Sequence, residues 1–291
     1  MASAPERDGL AGLRQRIAEI EGRGIPADRP VAETVAEESD TRSLAPRRGG
    51  NVLPFGVPDL DAMLRGGLRR NALHELRGEA SRNGAATGFA LALAARLARR
   101  DDRPVLWIAE GSAAREAGNL YAPGLAAFGL APERLILVRV GKPAEALWVF
   151  EEGLRCRGLA FVAAEIRGYP AVLDLTASRR LALRARDSGV MGLLVRQTDR
   201  SEPGAAQTRW QVTPRPAAIT DGYAAGIGRP AWRLRLERNR RGATGTIDLE
   251  WDHARRSFTD AAVPRAVAAA APDRPDPPAA AGQVVAFRTA S

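Results

Sequence analysis

From residue 72 to residue 196 the chain alternates short apolar runs with longer segments whose apolar residues recur every three or four positions. The short runs, 72–76, 105–109, 135–140, 159–164 and 190–196, have the length and Val/Ile/Leu content of strands buried on both faces. Between them, segment 87–100 carries Phe89, Leu93 and Leu97 at i, i+4 and i+8. Segment 143–155 opens with proline at the first helical position, where its missing N–H costs nothing. Segment 178–187 turns Leu181 and Ala185 inward and Arg179, Arg180, Arg184 and Arg186 outward. Strand and helix in alternation predict an α/β fold, a mostly parallel sheet flanked by helices on both faces.

The pattern changes after residue 230. Trp232, Leu234 and Leu236 alternate with Arg233, Arg235 and Glu237, and Ile247, Leu249 and Trp251 alternate with Thr246, Asp248 and Glu250. Period two on both sides of a glycine-containing turn predicts a C-terminal antiparallel hairpin. Pairing Leu236 with Ile247, Leu234 with Leu249 and Trp232 with Trp251 sets Arg235 opposite Asp248 and Arg233 opposite Glu250. Before the core, Leu10, Leu13, Ile17 and Ile20 fall on one face of an N-terminal amphipathic helix. The resulting division is a helix over 1–23, a linker over 24–50, a core over 51–260, and an Ala/Pro-rich disordered tail over 261–291.

Composition narrows the function classes. Hydrophobic residues make up 45% of the 291 residues, enough for a substantial core, and aromatics only 5%. The single cysteine, Cys156, excludes an internal disulfide framework and fits a reducing, cytoplasmic compartment. With one cysteine and two distant histidines, His74 and His253, no Cys/His metal site is expected. His74, inside the first strand, reads as a hydrogen-bonded strand histidine. Residues 1–10 lack the apolar core of a signal peptide, and no run of about 18 apolar residues points to a membrane span. The formal charge of +9 is carried almost entirely by arginine, with Lys142 the only lysine. Weak, salt-sensitive DNA contact is one expectation of that charge. Arg238, Arg240 and Arg241, in the hairpin turn with no evident acidic partner, are the candidate phosphate contacts.

One segment has the layout of a phosphate-binding loop. The first strand runs into Gly78, and a helix follows Gly84. In a working loop, backbone N–H groups and the helix N-terminus cradle phosphates, a lysine reaches the terminal phosphates, and a Ser/Thr hydroxyl holds Mg²⁺. Here the two glycines are one residue too far apart, and Ala85 and Ala86 occupy the lysine and hydroxyl positions. Thr87 follows without a lysine partner. The reading is a degenerate nucleotide site, with no catalytic residue and no cofactor expected.

With these motifs the chain resembles the RecA superfamily and, more closely, the ImuA family. The resemblance covers about residues 51–252. Leu53-Pro54-Phe55-Gly56, Leu60-Asp61-Ala62-Met63-Leu64 and Gly66-Gly67-Leu68 resemble the segment before the loop in RecA-like proteins. Glu110 closes the second strand at the catalytic glutamate position, Glu165 falls near the Walker B carboxylate, and Gln197 matches the glutamine that senses the terminal phosphate. Segments 120–137 and 208–212, with the Trp232–Trp251 hairpin, carry the ImuA likeness.

The resemblance implies a RecA-like fold and a non-catalytic adaptor of damage-induced translesion DNA synthesis and mutagenesis, part of an SOS-type DNA damage response. It implies two partners, the Y-family-like polymerase homologue ImuB and an error-prone replicative-type polymerase, with RecA itself a third. The stripe Leu10, Leu13, Ile17, Ile20 is the candidate partner-binding surface; its alternative is a cover for an apolar patch on the core. Two other functions stay open at this point: a RecA-like ATPase with an unconventional loop, and a cell-division inhibitor built on a RecA-like core. Gln283-Val284-Val285-Ala286-Phe287 weakly resembles a sliding-clamp-binding pentapeptide.

Overall fold

The computed structural model describes residues 50–78, 84–198, 200–216 and 228–261, with backbone alone at Glu116 and Ala117. The expected N-terminal helix, the linker up to residue 49 and the tail beyond Ala261 lie outside the described residues, as does the clamp-like pentapeptide.

Two short strands, β1 (Val52–Leu53) and β2 (Leu68–Arg69), pair antiparallel apart from the main sheet. The main sheet has β3 (Leu73–Gly78), β4 (Val105–Glu110), β5 (Leu135–Val140), β6 (Phe161–Arg167), β7 (Met191–Gln197), β8 (Thr208–Arg215), β9 (Ala231–Asn239), β10 (Gly245–Asp252) and β11 (Ser257–Asp260). Its order is β11-β10-β9-β8-β3-β7-β6-β4-β5. Strands β3 to β8 are mutually parallel, and β9, β10 and β11 extend the sheet antiparallel. This is the RecA-like, mostly parallel α/β class expected from the alternation. The sixth parallel strand, β8, and the last strand, β11, add to the five apolar runs and the hairpin.

Helices α1 (Pro58–Met63), α2 (Ala85–Ala98), α3 (Gly111–Ala117), α4 (Ala122–Phe128), α5 (Pro143–Arg155) and α6 (Leu175–Ser188) surround the sheet. Alternate strand residues sort into two cores. Met191, Leu193 and Val195 of β7 pack with α1, α2 and α4, whereas Leu194 packs with α5 and α6. The sparse aromatics gather on the first of these faces. Phe55 stacks on Phe89 at 6.2 Å, Trp232 meets Phe89 edge-on at 5.7 Å, and Trp251 meets Phe258 at 4.9 Å. Each such pair contributes about 0.5–1.5 kcal/mol beyond its buried area. Because this layer wraps α2, not only Phe89, Leu93 and Leu97 but also Ala90, Ala92, Ala94 and Ala95 are fully buried. That explains the alanine content: a helix covered on every side has room for methyl groups only.

The hairpin forms, but its register differs from the expectation by two residues. Leu236 faces Gly245, Leu234 faces Ile247, Trp232 faces Leu249, and Arg233 faces Asp248. The turn explains the shift. Asn239 Nδ2 donates to the carbonyls of Ala243 and Met63, and Asn239 Oδ1 accepts from the Arg241 N–H. This ends β9 at Asn239 and resumes pairing at Gly245. A two-residue slip keeps every side chain on its face, so the buried set is unchanged while the charge pairs are reassigned. Asp248 accepts from both Arg233 and Arg215, and Arg235 stands exposed opposite Thr246 instead of being neutralised.

Candidate functional site

Strand β3 lies between β7 and β8, where the winding of the parallel sheet changes direction. Ligands of open α/β sheets bind beyond the carboxyl ends of strands at such a point. Gly78 ends β3, Glu110 ends β4, Gln197 ends β7, and Glu165 is two residues from the end of β6. Of the sequence-selected residues the structure brings Thr87, Glu165 and Gln197 together, whereas Glu110, one residue past the partner of Glu165, faces the other side of the sheet. The loop 79–83 between Gly78 and Gly84 lies outside the described residues. Gly84 precedes α2 without a side-chain cap. Ala85 and Ala86 form the first turn of α2 and are buried.

Thr87, also in that first turn, donates its hydroxyl proton to Glu165 Oε1. Trp107 of β4 donates its indole N–H to Glu165 Oε2 at 3.1 Å. Gln197 Nε2 stands 3.5 Å from the Thr87 hydroxyl oxygen, a long contact, and its Oε1 is buried without a partner. Burial pushes the Glu165 carboxyl above the usual carboxylate range, against the opposing pull of the Thr87 and Trp107 hydrogen bonds. Both its oxygens already accept hydrogen bonds from this chain.

Glu110 is spent differently. Its backbone ends β4 and its side chain caps α3: Oε1 accepts the Ser112 N–H at 2.9 Å, and Oε2 accepts the Ser112 hydroxyl and the Ala113 N–H. Burial alone would raise its pKa, but the Ser112 and Ala113 hydrogen bonds outweigh that and hold the carboxylate below its ordinary value. Sequence reasoning missed both Ser112 and Trp107. Ser112 follows Glu110 at capping distance, which was a readable signal. Trp107 looked like any apolar strand residue.

The opposite face of the same strand ends is charged. Glu75 of β3 pairs with Arg209 of β8 at 2.9 Å and accepts the Tyr169 hydroxyl at 3.0 Å. Arg196 of β7 is fully buried, lies over the Tyr169 ring at 3.8 Å, and has no hydrogen-bond partner. Burial lowers its pKa to about 10. Segment 200–207 closes over this cluster. Arg77 donates to the Arg200 carbonyl, Arg209 to Ser201 Oγ, and Ser178 Oγ accepts the Ala205 N–H. Arg238 and Arg240, two of the three candidate phosphate contacts, point here as well: Arg238 donates to the Gly204 carbonyl, and Arg240 donates to the Ala206 carbonyl at 3.1 Å. Arg241 is exposed. Elsewhere, His74 is a buried strand histidine between Thr208 Oγ1 and the Arg69 carbonyl, its pKa lowered by burial to about 4. Cys156 is buried. No helix among the described residues is long and apolar enough to cross a membrane.

A parallel sheet with a glycine-flanked strand-to-helix turn at its winding switch, and two carboxylates and a glutamine at neighbouring strand ends, defines a RecA-like protein. No protein-family profile matches the chain. Protein ImuA from each of two strains of Caulobacter vibrioides is 33% identical over 222 residues, which cover 72% of this chain and 84% of the relative. The chain belongs to the ImuA family.

Proposed function

We propose that this protein is a non-catalytic RecA-like adaptor in damage-induced translesion DNA synthesis and mutagenesis. Family membership supports the process. The partners that follow are an ImuB-like polymerase homologue, an error-prone replicative-type polymerase and RecA, met in the cytoplasm through the apolar stripe Leu10, Leu13, Ile17 and Ile20. One observation supports the non-catalytic reading: both candidate carboxylates already accept hydrogen bonds from this chain. Glu165 accepts Thr87 and Trp107, and Glu110 caps α3. A catalytic base must hold water against a γ-phosphate, and a Mg²⁺ ligand needs a free oxygen. Here Ala85 and Ala86 stand at the lysine and hydroxyl positions, and the Thr87 hydroxyl donates a hydrogen bond to Glu165. DNA contact rests on the net charge of +9 and on outward Arg241, since Arg238 and Arg240 hold segment 200–207.

The expected result is no ATP turnover by the purified full chain. Steady turnover that is abolished by Glu110→Gln would overturn the reading in favour of an ATPase with an unconventional loop. Dependence on Glu110 separates such activity from contamination.

A further inference from the structure

We infer that β5, at the end of the sheet, pairs antiparallel with β5 of a second copy of this chain, making the protein a twofold dimer. β5 hydrogen-bonds to β4 alone, and among the described residues nothing pairs with its other side. An edge strand presents a row of unpaired backbone N–H and C=O groups, a template for one more strand. Proteins blunt such edges with short strands, proline, bulges or charges. The opposite edge, β11, is blunted in this way: it has four residues, Ser257, Phe258, Thr259 and Asp260. β5 is not. It has six residues, Leu-Ile-Leu-Val-Arg-Val, with no glycine or proline, no register shift against β4, and one charge, Arg139. The helical layers also stop short of it. Strands β3, β4 and β7 are buried throughout, whereas no residue of β5 is fully buried. Leu135 and Leu137 on one face, and Ile136, Val138 and Val140 on the other, are half-buried at the rims of the two cores.

The order of side chains along this edge selects a second copy as the occupant. Directly opposed residues of an antiparallel pair share a face, so a twofold axis between two β5 strands sets one residue against its own counterpart. Centred on Leu137, the pairing uses the strand from Leu135 to Arg139. Leu137 then meets the partner's Leu137, Ile136 meets the partner's Val138, and Leu135 meets the partner's Arg139, whose methylene stem covers it. Each half-buried row continues into the same row of the second copy, so both cores close over the edge. The charges favour this register. Glu133, in the 3-10 turn before β5, and Arg139 are exposed and form no ion pair among the described residues. The antiparallel arrangement carries Glu133 toward the partner's Arg139, diagonally across the pair, and the twofold axis repeats the contact. Centring on Val138 would instead oppose Arg134 and the partner's Lys142, two like charges. This pairing stands on the edge strand alone and does not depend on nucleotide chemistry or on the polymerase partners.

Sedimentation equilibrium of the full chain tests it. A monomer–dimer equilibrium with a Kd below roughly 100 μM is expected. Arg139→Glu turns two attractions into two repulsions and is expected to weaken the dimer at least about tenfold. Arg139→Glu combined with Glu133→Arg exchanges the signs and is expected to restore the affinity to within about threefold. Both positions are exposed, so neither change touches the core. A chain that stays monomeric over this range overturns the inference. So does a dimer whose strength Arg139→Glu leaves unchanged, which would place the contact elsewhere. Species that grow beyond the dimer also overturn it, because β5 would then be taking a different edge of the next copy.

Discussion

Arg196 and Gln197 are neighbours in sequence but lie on opposite faces of the sheet, and they separate two polar clusters built at the same strand ends. On the α2 face a single carboxyl, Glu165, is surrounded by uncharged donors, Thr87 and Trp107, with Gln197 beside them. On the α5/α6 face the carboxylate of Glu75 meets a guanidinium, and Arg77 pairs with Glu237 close by. A buried carboxyl without a cation is driven toward its neutral form, as at Glu165, whereas a buried ion pair keeps both charges at the cost of desolvation. The first cluster ties the first turn of α2 to β4 and β6. The second anchors segment 200–207 over the sheet. Neighbouring ends of one strand thus hold two chemistries because side chains alternate with period two.

The largest expected effect comes from breaking the charged cluster. Glu75→Ala leaves the buried Arg209 guanidinium without its carboxylate, and removing one partner of a buried pair costs about 3–5 kcal/mol. Urea unfolding reads this directly. A loss below about 1 kcal/mol would mean that Ser201 and solvent satisfy Arg209, and the contrast between the faces would fail.

Glu165→Gln probes the neutral cluster. A carboxyl whose pKa is higher folded than unfolded contributes stability that is complete below the unfolded pKa and is lost as pH rises through the folded pKa. The native chain therefore loses this contribution as pH climbs out of the ordinary carboxylate range. The loss is about 1.4 kcal/mol for each pH unit by which the carboxyl is raised. Glu165→Gln removes that component of the slope. Parallel stability curves for the two proteins between pH 4 and neutrality would contradict it.

The smallest effect is expected at Gln197. Its Oε1 has no partner and its Nε2 makes only a 3.5 Å contact, so Gln197→Met removes an unsatisfied polar group while keeping its volume. Stability is expected to change by less than about 1 kcal/mol. A destabilisation above about 2 kcal/mol would show that Gln197 is structurally integrated like the Glu75 pair.

Much of the architecture was legible along the chain. The five apolar runs became β3 to β7 with ends displaced by at most three residues, and Pro143–Arg155 is the helix its proline announced. Family and fold class were readable from order and spacing, as was the placing of Gly78, Glu110 and Gln197 at strand ends. The hairpin register was not, because Leu234 and Leu236 are interchangeable in an alternating pattern and the decision fell to Asn239 in the turn. The work of Arg238 and Arg240 was hidden too: their acceptors are carbonyls of Gly204 and Ala206, more than thirty residues upstream.

By itself the sequence determined the periodicities: which segments are strand or helix, and which residues share a face. Those follow from backbone geometry within a few residues, at two and 3.6 residues per repeat. It also fixed that the first turn of α2 begins with Ala85 and Ala86, side chains that carry no charge or hydrogen-bonding group in any fold. Tertiary structure alone decided that Glu165 would be a buried acceptor for Thr87 and Trp107, that Glu110 would cap a helix, and that Arg196 would lie unpaired over Tyr169. The physical reason is that a carboxylate or guanidinium takes its role from its partners and its burial. Those are set by contacts between strands and loops tens of residues apart, which no local pattern encodes.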